Sequence, residues 1–361
     1  MRKLASIQII KNLKPIIGAD KIECAEILGW ECVVKKGEFN IGDKIVFIEV
    51  DSQVPDKPEF EFLKDRKFRV RTIKLRKQIS QGLALPITIL PKGNYNEGDD
   101  VTEIIGVKKY DSEGELEQKL IQDKINKSNN KIAKFLSRYP WYRKLFFKPK
   151  KGSFPSFISK TDETRIQNIP NIVNQEKDTE FQVTEKLDGQ SGTYFLVKKP
   201  KKLFFKQQYE FGVCSRNLHL PTSNNSSYWT IAKQYNIEKV LHKLIGDNQY
   251  IVLQGEILGE GIQGNKYKIT GYDFYAFNLK YPNKQIDSVT ASKTLKNEGI
   301  KFVPILETNF KLKDSVSEMV EYAKGKSTLL PILREGVVIR NYNKNLSFKT
   351  INPEFLLKND D

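Results

Sequence analysis

The chain has 361 residues, of which 60 are Lys or Arg and 44 are Asp or Glu, giving a formal net charge of +16. Hydrophobic residues at 39% and aromatics at 11% are enough to build cores, so wholesale disorder is excluded, and the length suits two domains or a domain plus a module. The basic balance points to a polyanionic partner, nucleic acid ahead of an anionic membrane surface.

No window holds the roughly 18 consecutive apolar residues of a membrane span. The N-terminal MRKLASIQIIKNLKP has neither the apolar stretch nor the small-residue cleavage site of a secretory signal. Cys24, Cys32 and Cys214 are odd in number and lack paired metal-ligand spacing, which points to a reducing, cytoplasmic compartment. With only His219 and His242 available, a histidine-rich zinc site or a Ser-His-Asp triad is a poor fit. Any metal would sit on carboxylates, phosphates and water, which favours magnesium or manganese.

Residues 1–106 read as a β-rich module. ECVVKKGEFNIGDKIVFIEV and KFRVRTIKLRKQISQGLALPITIL carry alternating, β-branched runs separated by Gly-Asp and Pro-Lys-Gly turns. Short strands at regular spacing predict a small barrel of OB type, with an SH3-like barrel as the competitor. Residues 107–158 read as a basic helical connector. No acidic residue occurs from Lys124 to Lys160, and Lys124, Lys127, Lys131, Lys134 and Arg138 recur at helical steps, leaving Ile125, Ile132 and Leu136 for another face. Such a stripe suits a phosphate backbone or a solvated connector. Trp141 and Phe146, in the punctuated PWYRKLFFKPKKGSFPSF, suit base stacking or docking on a domain. Residues 159–361 read as a mixed α/β domain. YIVLQGEIL, YDFYAFNL and GVVIRNYN predict strands, and SVTASKTLKN and SVSEMVEYAK predict helices. The fold class expected is α+β.

The sharpest local feature is Lys186-Leu187-Asp188-Gly189. Alone it is weak, since lysine before an Asp-Gly turn is common on surfaces. In order after it come Ser215-Arg216-Asn217, then Gly255-Glu256 in an apolar strand. The aromatic run Tyr272 to Phe277, Arg334-Glu335-Gly336 ahead of VVIR, and Ser347-Phe348-Lys349 complete the series. The ordered set resembles the nucleotidyl-transfer motifs of the covalent nucleotidyltransferases, the superfamily of ATP-dependent DNA and RNA ligases and GTP-dependent capping enzymes.

Within that superfamily the chain is similar to RNA ligases that carry an OB-like module ahead of the transferase domain. The leading segment ADKIECAEILGWECVVKKGEFNIGDKIVFIEVDSQVP and the run Lys160 to Asn168 carry this likeness. Twelve residues follow Lys349, too few for the second OB domain of DNA ligases and capping enzymes, so RNA ligase is expected ahead of both. A non-catalytic RNA-binding protein with a decayed transferase is the remaining rival.

The resemblance implies a nucleotidyltransferase domain of ATP-grasp-like ligase type that joins RNA 3′-OH and 5′-phosphate ends, at nicks in duplexes, as a monomer using ATP and Mg²⁺ or Mn²⁺. It implies Lys186 as the nucleophile that carries AMP. Asp188, Glu256 and Glu335 would bind one metal directly or through its waters, and Lys349 and Arg216 would hold phosphate. Arg165, Gln167 and Glu185 would line the nucleotide. Phe274 and Phe277 are the candidates to stack on adenine; alternation puts them on opposite strand faces, and spacing does not choose. Attack requires an uncharged Lys186, and three units of depression below the usual 10.4 need about 4 kcal/mol, which a metal or Lys349 would supply. Some relatives have a lysine where this chain has Ser347, so a second cation is expected from elsewhere, with Lys344 as one candidate. The Gly-rich ILGEGIQGNKY lacks a following Lys-Ser/Thr, so a P-loop is rejected. His219 is expected to be packed or solvated.

Overall fold

The structure, a computed structural model, describes residues 3–110, 125, 131–139, 142, 152–201, 206–220 and 226–359. They fall into two compact units, Met1–Lys150 and Lys151–Asp361.

The first unit is built on a five-stranded antiparallel sheet in the order Trp30–Lys35, Ile22–Ile27, Ala5–Pro15, Lys44–Ile48, Leu83–Pro86. The long strand Ala5–Pro15 explains its curl. Residues 5–9 pair with Lys44–Ile48 and residues 10–15 with the Ile22–Ile27 strand, with a register shift between Ile10 and Asn12. A bulge of this kind bends a strand and raises its twist, so one strand serves two partners. Along Trp30–Lys35 burial alternates, turning Trp30, Cys32 and Val34 inward against Ile10, Ile27 and Phe47. The Trp30 and Phe47 rings sit 6.1 Å apart. A 3₁₀ turn, Pro58–Arg66, buries Phe60 and Leu63 on the opposite core beside Ile7, Val46 and Ile48. Lys108–Lys109 pairs with Ser52–Gln53, so ordered pairing in this unit runs past residue 106.

Of the basic stretch, Lys131–Leu136 is helical, as its periodicity predicts, and Lys134 and Arg138 are exposed. Lys124, Lys127, Trp141 and Phe146 lie outside the described residues.

The second unit stacks its elements on two sheets. The eight-stranded sheet runs Gly152–Ser153, Leu218–Leu220, Tyr209–Cys214, Gln190–Lys198, Tyr250–Gly259, Tyr272–Tyr281, Lys284–Gln285, with Lys301–Phe302 beside Tyr272–Tyr281. Helices Ser227–Gln234, Ile237–Leu244 and Ser288–Asn297 supply Tyr228, Ile231, Ile237, Val240, Leu241, Ala291 and Leu295 to a core with Leu253 and Phe274. Ile237, Val240 and Leu241 show the i, i+3, i+4 spacing of a helix with one apolar face. Asp287 caps Ser288–Asn297 by accepting from the Val289 and Thr290 amides. The five-stranded sheet runs Thr164–Arg165, Leu346–Ile351, Gly336–Asn341, Glu180–Lys186, Ile305–Lys311. It buries Phe181, Val183, Val337, Ile339 and Phe348 against Met319 and Ala323 of helix Val316–Ala323. The predicted strands around Glu256, Phe274 and Val338 and the two predicted helices are all present.

Candidate functional site

Lys186 ends the strand Glu180–Lys186 opposite Gly336, while Glu256 lies in the other sheet opposite Ser191. Only Leu187, Asp188 and Gly189 connect the Lys186 strand to Gln190–Lys198. A Cβ on Gly189 would lie 2.4 Å from the Ile257 carbonyl oxygen and 3.0 Å from Glu256 Cγ. The Lys-x-Asp-Gly run is therefore a crossover between sheets that passes over the Glu256 strand, and glycine is what lets it pass.

A Cβ on Gly336 would meet the Thr350 carbonyl oxygen at 2.2 Å, so the glycine after Glu335 likewise admits a close strand approach. Gly336→Ala is expected to destabilise the protein by about 2–3 kcal/mol, because the atom it meets is backbone and yields only by shifting a strand. An unchanged denaturant midpoint would contradict this.

Four charged groups converge here. Lys186 Nζ donates to Glu335 Oε2 at 2.6 Å. Burial works to lower the lysine pKa, but Glu335, Glu256 and Asp188 outweigh it and hold the ammonium above its ordinary value. Burial pushes the Glu256 carboxyl up to about 8; Lys186 opposes the shift, and Glu335 and Asp188 add to it. Glu335 is also raised by burial against the pull of Lys186. Acids surround Nζ, and Lys349 turns instead to Asp162. Lys349 therefore does not supply the depression expected from the sequence, which leaves it to a bound metal.

Asp188, Glu256 and Glu335, expected to hold one metal directly or through its waters, act on one another electrostatically around Lys186. Among the described residues, no group of three or more His, Cys, Asp or Glu side chains is close enough to hold one metal ion. The reason is local pairing: Asp188 is engaged by Lys266 and Glu335 by Lys186. A hard divalent cation suits this arrangement when one or two carboxylates bind it and water and phosphate oxygens complete the shell. Glu256 and Glu335 are the acids whose burial beside other carboxylates raises them, a cost that a bound cation would relieve.

A second cluster lies on the same sheets. Asp162 Oδ1 is 3.3 Å from Arg216 Nη2 and 3.5 Å from Lys349 Nζ, so one carboxylate gathers both expected phosphate ligands. Arg165 is 4% exposed and pairs in parallel register with Lys349. Gln167 is buried in the turn Ile166–Asn168. Glu185 is 1% exposed; its Oε2 accepts from the Thr328 amide at 2.8 Å and the Thr328 hydroxyl at 2.6 Å. Glu185 Oε1 and Gln167 Oε1 are buried acceptors that no described residue satisfies. Two such oxygens cost free energy unless a donor meets them.

The two phenylalanines separate. Phe274 is fully buried, edge-on to Tyr194 at 5.3 Å, and lies over Gly255, where a Cβ would come within 2.4 Å of its ring. It is a core residue, and its nucleotide-stacking role is withdrawn. Phe277 stays half-buried on the other strand face, in the cluster with Leu187, Tyr267 and Val303. Lys344 pairs with Glu176 and Thr179 and is not the second cation. His219 packs 5.6 Å from the Phe195 ring.

Sequence reasoning missed Asp162, Lys266, Tyr267 and Thr328. Lys266 pairs with Asp188, and Tyr267 Oη accepts from the Asp188 amide at 3.1 Å. Their signal was the Gly-rich segment after the Glu256 strand, which holds no P-loop but delivers its final two residues to the crossover. Asp162 stood inside the segment already singled out. Thr328 had no sequence signal.

Among known proteins, a profile described as an OB-fold domain matches residues 4–87, which settles the barrel type in favour of OB over SH3-like, and one described as RNA ligase matches residues 179–355. A Naegleria gruberi RNA ligase variant in its apo form is 31% identical, with TM-score 0.80, over 100% of this chain and 99% of that chain. The Naegleria gruberi RNA ligase with pyrophosphate is 33% identical, with TM-score 0.80, over 100% of both chains. A variant of it with AMP and manganese is 31% identical, with TM-score 0.79, again over 100% of both. No curated protein sequence matches. With this likeness running along its whole length, the chain belongs to the RNA ligase family, as a member that carries an OB-fold module ahead of its nucleotidyltransferase domain.

Proposed function

We propose that this RNA ligase takes AMP from ATP onto Lys186 and joins an RNA 3′-OH to a 5′-phosphate at nicks in duplexes, acting as a monomer. The convergence of Lys186, Glu335, Glu256 and Asp188 beside the Asp162–Arg216–Lys349 cluster carries the reading. Use of ATP and a divalent metal is supported by the Naegleria gruberi ligase variants solved with ATP and manganese.

In the first step Lys186 Nζ attacks the α-phosphorus, an N–P bond forms, and the bond to pyrophosphate breaks. Glu335 Oε2, 2.6 Å from Nζ, is placed to accept the lysine proton. Lys349 and Arg216 offset charge on the phosphate oxygens as pyrophosphate departs. The RNA 5′-phosphate then displaces the lysine from AMP. Last, the 3′-OH attacks that phosphate and AMP leaves. A divalent cation, held through Glu256 and Glu335, supplies further charge neutralisation when bound. The unsatisfied oxygens of Glu185 and Gln167 suit the exocyclic amine of adenine and would face the carbonyl of guanine unfavourably.

Phe277→Ala is expected to raise the KM for ATP about tenfold, in line with the 1–3 kcal/mol of a base–aromatic stack. Phe274→Ala should instead lower stability by about 3–5 kcal/mol. Equal ATP dependence in wild type and Phe277→Ala would remove the stacking role.

Mass spectrometry after incubation with ATP or GTP tests nucleotide choice, and sealing of nicks whose 3′-OH strand is RNA or DNA tests the product. Covalent GMP would indicate capping, and preferential sealing of DNA ends a DNA ligase. Binding RNA without forming any adduct would leave only the non-catalytic reading.

A further inference from the structure

The hairpin Ile73–Leu75/Gln78–Ser80 in the first unit is not used by the chemistry above. Its register, Ile73 opposite Ser80 and Leu75 opposite Gln78, leaves Arg76 and Lys77 as a two-residue connection. Both lie in the left-handed region, with φ of 47° and 71°. Such a tight connection calls for positive φ at both positions, and Asn-Gly is the sequence that meets this at least strain. Here two long, β-carbon-bearing cations occupy it instead.

The root of the hairpin is fixed. Gln78 Nε2 donates to Glu31 Oε2 at 2.9 Å, and the Val33 amide donates to Ser80 Oγ at 2.9 Å. The tip is open: Lys74, Leu75, Arg76 and Lys77 are exposed. None of its three cations forms an ion pair with a described residue, although Lys14 and Lys64 of the same unit do. Local backbone strain kept at an exposed, uncompensated cationic tip marks a binding element more readily than a structural one.

We infer that this hairpin tip grips the phosphate backbone of double-stranded RNA. The segment IKLRKQIS has no aromatic residue, so it has no platform for stacking unpaired bases, which is how single strands are held. What it offers is a rigid ribbon with paired cations, suited to the regularly spaced phosphates of an A-form helix, which proteins read mainly by shape and backbone contacts. The inference rests on the proposed sealing of duplex nicks and names the contact that would serve it.

The test is the full-length double variant R76N/K77G. Asn-Gly relieves the turn while removing both charges, and the Tm separates a lost contact from lost folding. Expected are an unchanged or higher Tm, wild-type adenylylation, and an affinity for nicked RNA duplex reduced about tenfold. The slope of log affinity against log salt should become shallower by about two, one unit for each lost phosphate contact. The charge-preserving R76K/K77R should retain wild-type binding. Duplex affinity and salt slope equal to wild type in R76N/K77G would overturn the inference. An equal loss for single-stranded RNA would overturn the commitment to duplex. Should wild type itself fail to seal nicked RNA, the broader functional reading falls; should wild type and R76N/K77G seal alike, only the hairpin's role falls.

Discussion

Lys186→Ala should show no ATP-dependent gain of an AMP mass, with a rate loss on the order of 10⁶, the scale seen when a covalent nucleophile is removed. A second effect comes with it. Glu335 loses the cation that donates to it at 2.6 Å and stays among like charges, with its side chain only 14% exposed. Stranding a buried carboxylate costs 3–5 kcal/mol in dry interiors; the partial exposure here reduces that to about 2 kcal/mol. The double variant Lys186→Ala/Glu335→Gln should therefore remain inactive yet recover the lost stability. Denaturant unfolding of wild type and both variants at neutral pH checks this, and a double variant less stable than the single one would contradict the electrostatic account.

Glu256→Gln is expected to make the protein less active and more stable. The Glu256 carboxyl titrates near about 8 in the folded protein, against about 4.3 for an unperturbed glutamate. The native state then holds this proton more tightly than the unfolded state, so stability is full in acid and falls as pH rises through that window. Glutamine removes the loss. In metal-free buffer the variant should match wild type near pH 4 and exceed it by a few kcal/mol above pH 8, taking about 1.4 kcal/mol per unit. Adenylylation should drop by about 10²–10³, the usual size for removing one preorganised electrostatic group. Magnesium should stabilise wild type at pH 8 more than the variant. A stability gain that is the same at both pH values would show that burial of charge is not its source.

The legible parts of this chain were those written in short-range pattern. Alternation in WECVVK and the apolar run YIVLQ specify strands because each residue's face is fixed by a period of two. The helices Ser288–Asn297 and Val316–Ala323 were legible in SVTASKTLKN and SVSEMVEYAK. Lys186, Glu256 and Glu335 were legible as a set because their motifs occur in the order of the nucleotidyl-transfer series. The structure shows that the glycines of those motifs, Gly189, Gly255 and Gly336, stand where a Cβ would meet a neighbouring carbonyl. Charge balance was not legible. Whether Lys186 meets a cation or an acid depends on which way Lys349 turns, and it turns to Asp162, nearly two hundred residues away in sequence. The choice between Phe274 and Phe277 needed the knowledge of which strand face the helices cover. Thr328 reaches Glu185 from a loop that no periodicity marks.

The crossover through Leu187, Asp188 and Gly189 sets how the centre can move. Leu187 is anchored at 3% exposure and the Asp188 amide is tied to Tyr267. With so short and so pinned a link, the nucleophile and the acid facing it cannot drift apart without breaking the fold. Their alignment is settled when the chain folds, so the entropy of assembling the reacting groups is not levied again at each turnover.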